Sequence, residues 1–320
     1  MRDFTHISKL NFSKFSRYNS VFFTYLFLLI IFIVFYIFFP LYRSSTNISN
    51  LLIQIAPLSL VALGQTVVLI GGGIDLSVGS VISLTTVIAA NLMGNNTTGI
   101  IIGLLIAFLS ALLIGFINGM ICNETSLPPL IVTLSMSYIV QGIILWYKTA
   151  PGGAVPKALS KILIYRFNIL SFPIIIVIIA YIVFSLIMSR SVFGLHTYAL
   201  GKNEQYARMA GVNVKKIRIS TYMISSFFAC FAGFLLASRI GSGAPLIGDP
   251  YTLESLTGAI IGGMSFTGGE GFIIGALGGA TIVGMISNAL NISGIDPFYQ
   301  YIFRGALLII AMILNSFKKR

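Results

Sequence analysis

Apolar residues run along this chain in long unbroken blocks rather than in alternation. From Val21 to Tyr42 no position carries a charge. A helix that crosses the hydrocarbon core of a bilayer needs about 20 apolar residues, whereas barrel strands show alternating segments of roughly ten. The blocks predict ten spans, at 21–42, 50–70, 76–93, 99–121, 127–147, 171–188, 217–238, 253–264, 271–290 and 299–315. The block at 253–264 is short and opens with Glu254, which suits a half-helix or a re-entrant segment. The expected fold is all-α, a polytopic membrane protein with about ten transmembrane helices.

Between the second and third blocks lies Ile70-Gly71-Gly72-Gly73-Ile74-Asp75-Leu76-Ser77-Val78-Gly79. An ionised group in hydrocarbon costs several kcal/mol, so a carboxylate here is informative. Glycine lets backbone bend or approach another backbone closely. Such a loop suggests chain buried in protein or lining a polar cavity. Gly72, Gly73 and Gly79 are expected to allow a tight break between spans, and Asp75 to accept hydrogen bonds from backbone or cationic groups. A second loop echoes the first locally: Ile70-Gly71-Gly72 precedes Asp75 and Gly79, and Ile261-Gly262-Gly263 precedes Glu270 and Gly271. The flanking spacings differ.

Charge fixes an orientation. Of 320 residues, 57% are hydrophobic and 9% charged, against about 25% charged in a soluble domain. The first 20 residues are polar and basic, and the apolar run after them is too long for a signal-peptide core. Ten spans then leave both termini in the cytoplasm. That places thirteen Lys and Arg residues inside and seven outside, in keeping with the positive-inside bias. The net charge of +12 is thus a topology signal, and its spread along the chain excludes a nucleic-acid footprint. The organisation reads as a cytoplasmic tail at 1–20, a transmembrane domain at 21–315 and a basic tail at 316–320.

Two loops are large enough to carry function. The external loop, Lys148 to Leu170, opens with the turn signal Pro151-Gly152-Gly153 and continues as a possible amphipathic helix from Lys157 to Tyr165. It suits either an interfacial helix on lipid headgroups or a docking surface for an extracytoplasmic partner. Lys157, Lys161, Arg166 and Arg239 are the candidate docking cations. The cytoplasmic loop, about 190–216, contains Gly201-Lys202-Asn203-Glu204-Gln205-Tyr206-Ala207-Arg208-Met209-Ala210-Gly211. Asn203 is a good N-cap, Glu204 suits the first turn, and Gly211 suits the left-handed position after a helix. A helix this short is marginal alone and must pack on its own domain, on a partner or on both. Tyr206, Met209 and Ala210 share a face.

Active-site chemistry is missing from the sequence. No G-x-x-x-x-G-K-[ST] is present, so no P-loop binds ATP. His6 and His196 both fall in expected cytoplasmic segments, H-E-x-x-H is absent, and Gly263-Met264-Ser265-Phe266-Thr267 lacks the last glycine of a nucleophile elbow. Neither Cys122 nor Cys230 belongs to a C-x-x-C pair; both read as buried structural thiols. None of the eight acidic residues falls mid-span in the ten-span reading. A proton- or sodium-coupled carrier places carboxylates near the midplane, so ion coupling is disfavoured unless Asp75 or Glu270 lies deeper.

Three motifs together resemble the permease subunits of ATP-binding-cassette importers, in the branch of ribose, other monosaccharide and autoinducer-2 permeases. The first is Gly64-Gln65-Thr66 through Gly72-Gly73-Ile74-Asp75-Leu76-Ser77-Val78-Gly79-Ser80. The second is Tyr198-Ala199-Leu200-Gly201-Lys202-Asn203-Glu204 with Ala207 and Gly211. The third comprises Ala237-Ser238-Arg239, Gly262-Gly263, Ser265, Gly268-Gly269, Gly271, Asn288, Leu290-Asn291 and Gly294. The resemblance covers about residues 50–315. Met264, Glu270 and the pair Tyr206-Ala207 depart from the residues usual in that family.

The resemblance implies a type II importer-like permease in the bacterial plasma (inner) membrane. It implies no catalytic residue, no metal and no cofactor of the chain's own, with ATP bound by a partner ATPase subunit or tandem ATPase. Other implied partners are an extracytoplasmic sugar-binding protein, a second permease subunit in a homo- or heterodimer, and the lipid bilayer. Gly201, Asn203, Glu204, Tyr206, Ala207, Met209 and Gly211 become the segment that couples to the ATPase. Gly72, Gly73, Asp75, Ser77, Gly79, Gly262, Gly263 and Ser265 become candidate pathway or gating positions. The implied cargo is a ribose-like monosaccharide, with autoinducer-2, a nucleoside or another small polar ligand open. The alternatives are an ion-coupled secondary transporter of a small polar solute and an intramembrane enzyme.

Overall fold

A computed structural model describes residues 4–94, 96–163, 165–167 and 170–317. Arg2, Lys318, Lys319 and Arg320, from the two expected basic tails, lie outside the described residues, as does Asn168 of the external loop. All ten predicted blocks are helical. They form α1 (Phe4–Phe38), α2 (Ser45–Ile70), α3 (Val78–Leu92), α4 (Thr97–Glu124), α5 (Pro129–Tyr147), α7 (Phe172–Arg190), α10 (Val214–Ile240), α11 (Asp249–Ile261), α12 (Ile273–Ile292) and α13 (Pro297–Phe317). Three short helices, α6 (Lys157–Leu163), α8 (Val192–Lys202) and α9 (Glu204–Met209), lie in the two functional loops. A two-residue ribbon, β1 (Arg166–Phe167) with β2 (Leu170–Ser171), pairs antiparallel with Arg166 opposite Ser171. Periodicity gave no sign of so short a ribbon.

Seven of the described helices are long and apolar enough to cross a bilayer: the Ser20–Phe38 part of α1, and α2, α4, α5, α7, α10 and α12. The chain is a multi-pass membrane protein. At 1.5 Å per residue, the 13-residue α11 is about 20 Å long, too short for a ~30 Å core, as the half-helix reading expects. The 15-residue α3 is short for a different reason: the chain from Gly73 to Ser77 has no regular structure, and the helix starts only at Val78.

Burial sorts the helices. Helix α2 is buried over most of its length, α10 is mostly buried, and α1, α4, α5 and α7 present broad apolar faces outward. The centre is therefore α2 and α10 packed on α3, α4 and α12. Small residues permit the close contacts. Gly258 of α11 and Gly262, its C-cap, face Gly279 and Gly275 of α12, where a Cβ on any of the four would meet backbone of the facing segment. Each side thus carries a G-x-x-x-G pair, the spacing that lets apolar helices approach closely.

Arg304, which falls inside the predicted 299–315 block, sits in the second turn of α13 and pairs with the buried Glu254 of α11 at 2.7 Å. Both charges lie within helices, where the partner offsets the cost of burial.

Candidate functional site

Two helices that the sequence marked with the same Ile-Gly-Gly end in the same cap. After α2, the Gly72 N–H donates to Leu69 O at 2.9 Å and the Gly73 N–H to Val68 O at 3.0 Å, with Gly72 at φ +80°. After α11, the Gly263 N–H donates to Ile260 O at 2.9 Å and the Met264 N–H to Ala259 O at 3.1 Å, with Gly263 at φ +90°. Both are Schellman caps, which require a left-handed residue. The echo read in the sequence is a repeated helix stop.

The two capped loops meet at one end of the bundle. The Gly269 N–H donates to Ile70 O, the last carbonyl of α2, at 2.9 Å. Gly201 of α8 is wedged between them: a Cβ there would collide with Ile70 O and the Gly269 nitrogen. Gly268, at φ +83°, lies against Gly72 and the Gly201 carbonyl. Three chain segments therefore touch backbone to backbone at glycines. Gly268 and Gly269 were visible in the sequence only as part of the third motif, because glycine spacing does not reveal contacts between distant segments.

Helix α9 follows directly from this junction. Asn203 is its N-cap, accepting from the Tyr206 N–H at 3.0 Å, and Gly211, at φ +81°, completes a Schellman cap in which the Val212 N–H donates to Ala207 O at 3.0 Å. Ala207 is buried in a small cluster with Leu200, Val212, Val214 and Ile217. Tyr206 and Met209 point away, 71% and 83% exposed. Glu204 accepts from Arg208 at 2.7 Å and from Arg218 of α10, and Arg218 also donates to the Cys122 carbonyl at the end of α4 at 3.1 Å. Burial disfavours the Glu204 carboxylate, but its two arginine partners outweigh that and hold its pKa below the usual glutamate range. Nearby, Lys215 pairs with Glu124 at 2.6 Å. The helix is thus fastened to α10 and α4 on one side and bare on the other.

The Asp75 loop climbs from the glycine junction into the bundle. Asp75 Oδ1 accepts from the Ser77 N–H at 2.9 Å and the Ser77 hydroxyl at 2.6 Å, and Asn118 Nδ2 donates to Ser77 Oγ at 2.9 Å. Thr133 accepts from the Leu76 N–H at 3.1 Å. All four side chains, of Asp75, Ser77, Asn118 and Thr133, are fully buried. Asn118 precedes the Glu124 end of α4 by six residues, so the loop reaches roughly 9 Å past that end. Asp75 thus lies deeper than the ten-span reading drew it. The expected backbone donor is present, and among the described residues no ion pair engages Asp75. Gly79 then packs against Gly248 and Thr252 at the start of α11. Ser265, in contact with Thr267 at 3.0 Å, belongs to the second capped loop.

The opposite end carries the expected docking cations. The loop before α6 pairs with the chain after α10: the Gly152 N–H donates to Gly243 O at 2.9 Å and the Val155 N–H to Gly241 O at 3.1 Å. This places exposed Lys157 and Lys161 of α6 at the same end as exposed Arg239. Arg166 donates to Asn50 Oδ1 at 2.8 Å. Leu159 and Leu163 of α6 turn towards the core.

Comparison with known proteins adds a family. The family model described as "Branched-chain amino acid transport system / permease component" matches residues 47–312. The chain is similar to the ribose import permease protein RbsC of Bacillus subtilis (strain 168), 32% identical over 87% of each chain. It is 30% identical to the L-arabinose ABC transporter permease protein AraH of Azospirillum brasilense, over 88% of this chain and 83% of that one. It is 33% identical to the fructose import permease protein FrcC of Rhizobium meliloti, over 87% of this chain and 79% of that one. No solved structure matches it.

Proposed function

The chain belongs to the branched-chain amino acid transport system / permease component family, and on that premise we propose that it is the membrane-spanning subunit through which an ATP-driven importer passes a ribose-like monosaccharide. The sugar is favoured over an amino acid because the relatives named above are permeases named for ribose, arabinose and fructose. The chain works with an ATPase subunit, an extracytoplasmic sugar-binding protein and a second permease subunit, in a bacterial inner membrane with both termini cytoplasmic. The observation that carries the reading is α9. It is capped at both ends, clamped through Glu204 and Arg218, and leaves Tyr206 and Met209 bare. Large apolar and aromatic side chains dominate contact energies, so these two are the anchors for the ATPase.

The glycine junction gives such docking a mechanical consequence. Displacing α9 drags Gly201, which has no space between Ile70 and Gly269. Both capped loops must then move, and with them the Asp75 segment and the start of α11. Packed interfaces shift between discrete arrangements rather than deforming continuously, which suits an outward–inward switch. Lys157, Lys161, Arg166 and Arg239 face the binding protein at the far end.

The test is reconstitution in proteoliposomes with the ATPase and the loaded binding protein. ATP-dependent ribose uptake that survives an ionophore supports the reading. Tyr206→Ala with Met209→Ala should abolish stimulation of ATP hydrolysis by the loaded binding protein. Uptake without ATP that stops when the ion gradient collapses would instead establish a secondary carrier.

A further inference from the structure

Helices α7, α8 and α12 enclose a cavity of about 580 Å³ at the glycine-junction end of the bundle. It lies where two long apolar helices terminate, since α7 ends at Arg190 and α12 begins at Ile273. Its lining is chemically mixed. Arg190 and the hydroxyl-bearing Ser189 and Ser191 line it together with the apolar Met188, Leu195 and Ile273. Arg190 is exposed and, among the described residues, takes part in no ion pair, unlike Arg208, Arg218 and Arg304. Leu195 is also exposed, at 68%.

From an exposed, unpaired cation beside apolar lining residues we infer that the α7–α8–α12 groove binds one anionic phospholipid, with Arg190 on the phosphate and an acyl chain along Met188, Leu195 and Ile273. The level is that of a headgroup, because the groove straddles the ends of membrane-spanning helices. A cation at such a boundary attracts anionic lipid, and apolar residues lining the same groove suit a chain rather than a soluble phosphate. Tyr198 makes the groove matter for transport: it lines the cavity and donates to Gly271 O at 2.8 Å, two residues beyond the Gly269 contact with Ile70. An occupant there would brace α8 against the second capped loop. The binding itself does not depend on the cargo or on the ATPase partner, so the test needs neither.

The experiment is native mass spectrometry of the full chain in detergent, titrated with phosphatidylglycerol and, separately, phosphatidylcholine of identical chains. Wild type should retain one phosphatidylglycerol at concentrations where phosphatidylcholine is lost. Arg190→Ala should weaken that adduct about fivefold, the effect expected for one basic residue near an anionic headgroup, and Arg190→Lys should keep most of it. Leu195→Trp, which fills the groove and leaves the charge, should weaken both lipids. Because Arg190 and Leu195 are exposed, these variants should fold, which an unchanged far-UV circular dichroism spectrum would verify. Equal retention of the two lipids by wild type overturns the proposal. So does phosphatidylglycerol binding that is unchanged in both Arg190→Ala and Leu195→Trp. Competition by free glycerol phosphate with no need for acyl chains would reassign the groove to a soluble anion and overturn it as well.

Discussion

Glu254 in the second turn of α11 and Arg304 in the second turn of α13 hold the half-helix to the last helix through a 2.7 Å ion pair. The Arg304 guanidinium also lies 5.4 Å from the centre of the Tyr301 ring. The pair is a constraint between two elements that the sequence showed only as separate apolar blocks. Removing one partner strands a buried charge at a cost of about 3–5 kcal/mol, whereas replacing both with apolar residues can be nearly neutral. Arg304→Leu should therefore unfold at markedly lower denaturant in bicelles, and Glu254→Leu combined with Arg304→Leu should recover most of the loss. A double variant as fragile as the single one would show that packing, not charge, sets the effect.

Gly201 tests the junction. A methyl group there would run into the Ile70 carbonyl and the Gly269 nitrogen, both backbone atoms that cannot rotate away. Gly201→Ala should insert in the membrane and keep α9 folded, yet lose most sugar uptake. Cross-linking of a cysteine at Tyr206 to the ATPase separates the two effects. Retained cross-linking with lost uptake is expected; wild-type uptake would remove the junction from the mechanism.

Gly211 tests the cap of α9. Nothing lies near a Cβ at this position, so any penalty comes from the backbone alone, at φ +81°. A β-branched residue forced into that region costs about 1–2 kcal/mol. Gly211→Val should raise hydrogen exchange of the Ala207–Val212 amides, while Gly211→Asn, which tolerates the left-handed region, should raise it less. Identical exchange in both variants would mean the cap contributes nothing to α9.

Glu204 predicts a pH dependence. Its folded-state pKa is depressed, so the clamp's contribution is complete above the unfolded value of about 4.3 and fades as pH falls through the lower, folded one. A spin label on a cysteine at Met209 should report constant mobility from pH 7 to pH 5 and loosen only below about pH 4. Arg218→Ala should loosen it already at pH 7. Loosening that starts near pH 6 in wild type would point to a different titrating group.

Asp75 tests the buried loop. Asp75→Asn keeps an oxygen for the Ser77 N–H and hydroxyl, while Asp75→Ala leaves both donors unpaired in the interior. Unsatisfied buried polar groups cost about 1–3 kcal/mol each. Thermal midpoints of the purified protein should fall in the order wild type, Asp75→Asn, Asp75→Ala. Wild-type stability and uptake in Asp75→Ala would remove the case for this residue.

The sequence by itself determined the ten helical blocks, the shortness of the one at 253–264, the capped segment at Asn203–Gly211 and the family. These follow from local terms: apolar length against bilayer thickness, a side chain that can cap, and a glycine that can take positive φ. Even the Ile-Gly-Gly echo was legible as a repeat, because a helix stop is a local event. What only the tertiary structure decided are relationships between distant residues. Gly201 between Ile70 and Gly269, Glu254 against Arg304, the facing G-x-x-x-G pairs of α11 and α12, and the depth of Asp75 all join segments far apart in the chain. Periodicity reports which face of an element is apolar, not which partner covers it. Arg304 shows this: the sequence places it in the apolar 299–315 block, and only the fold brings its carboxylate partner to it from another helix.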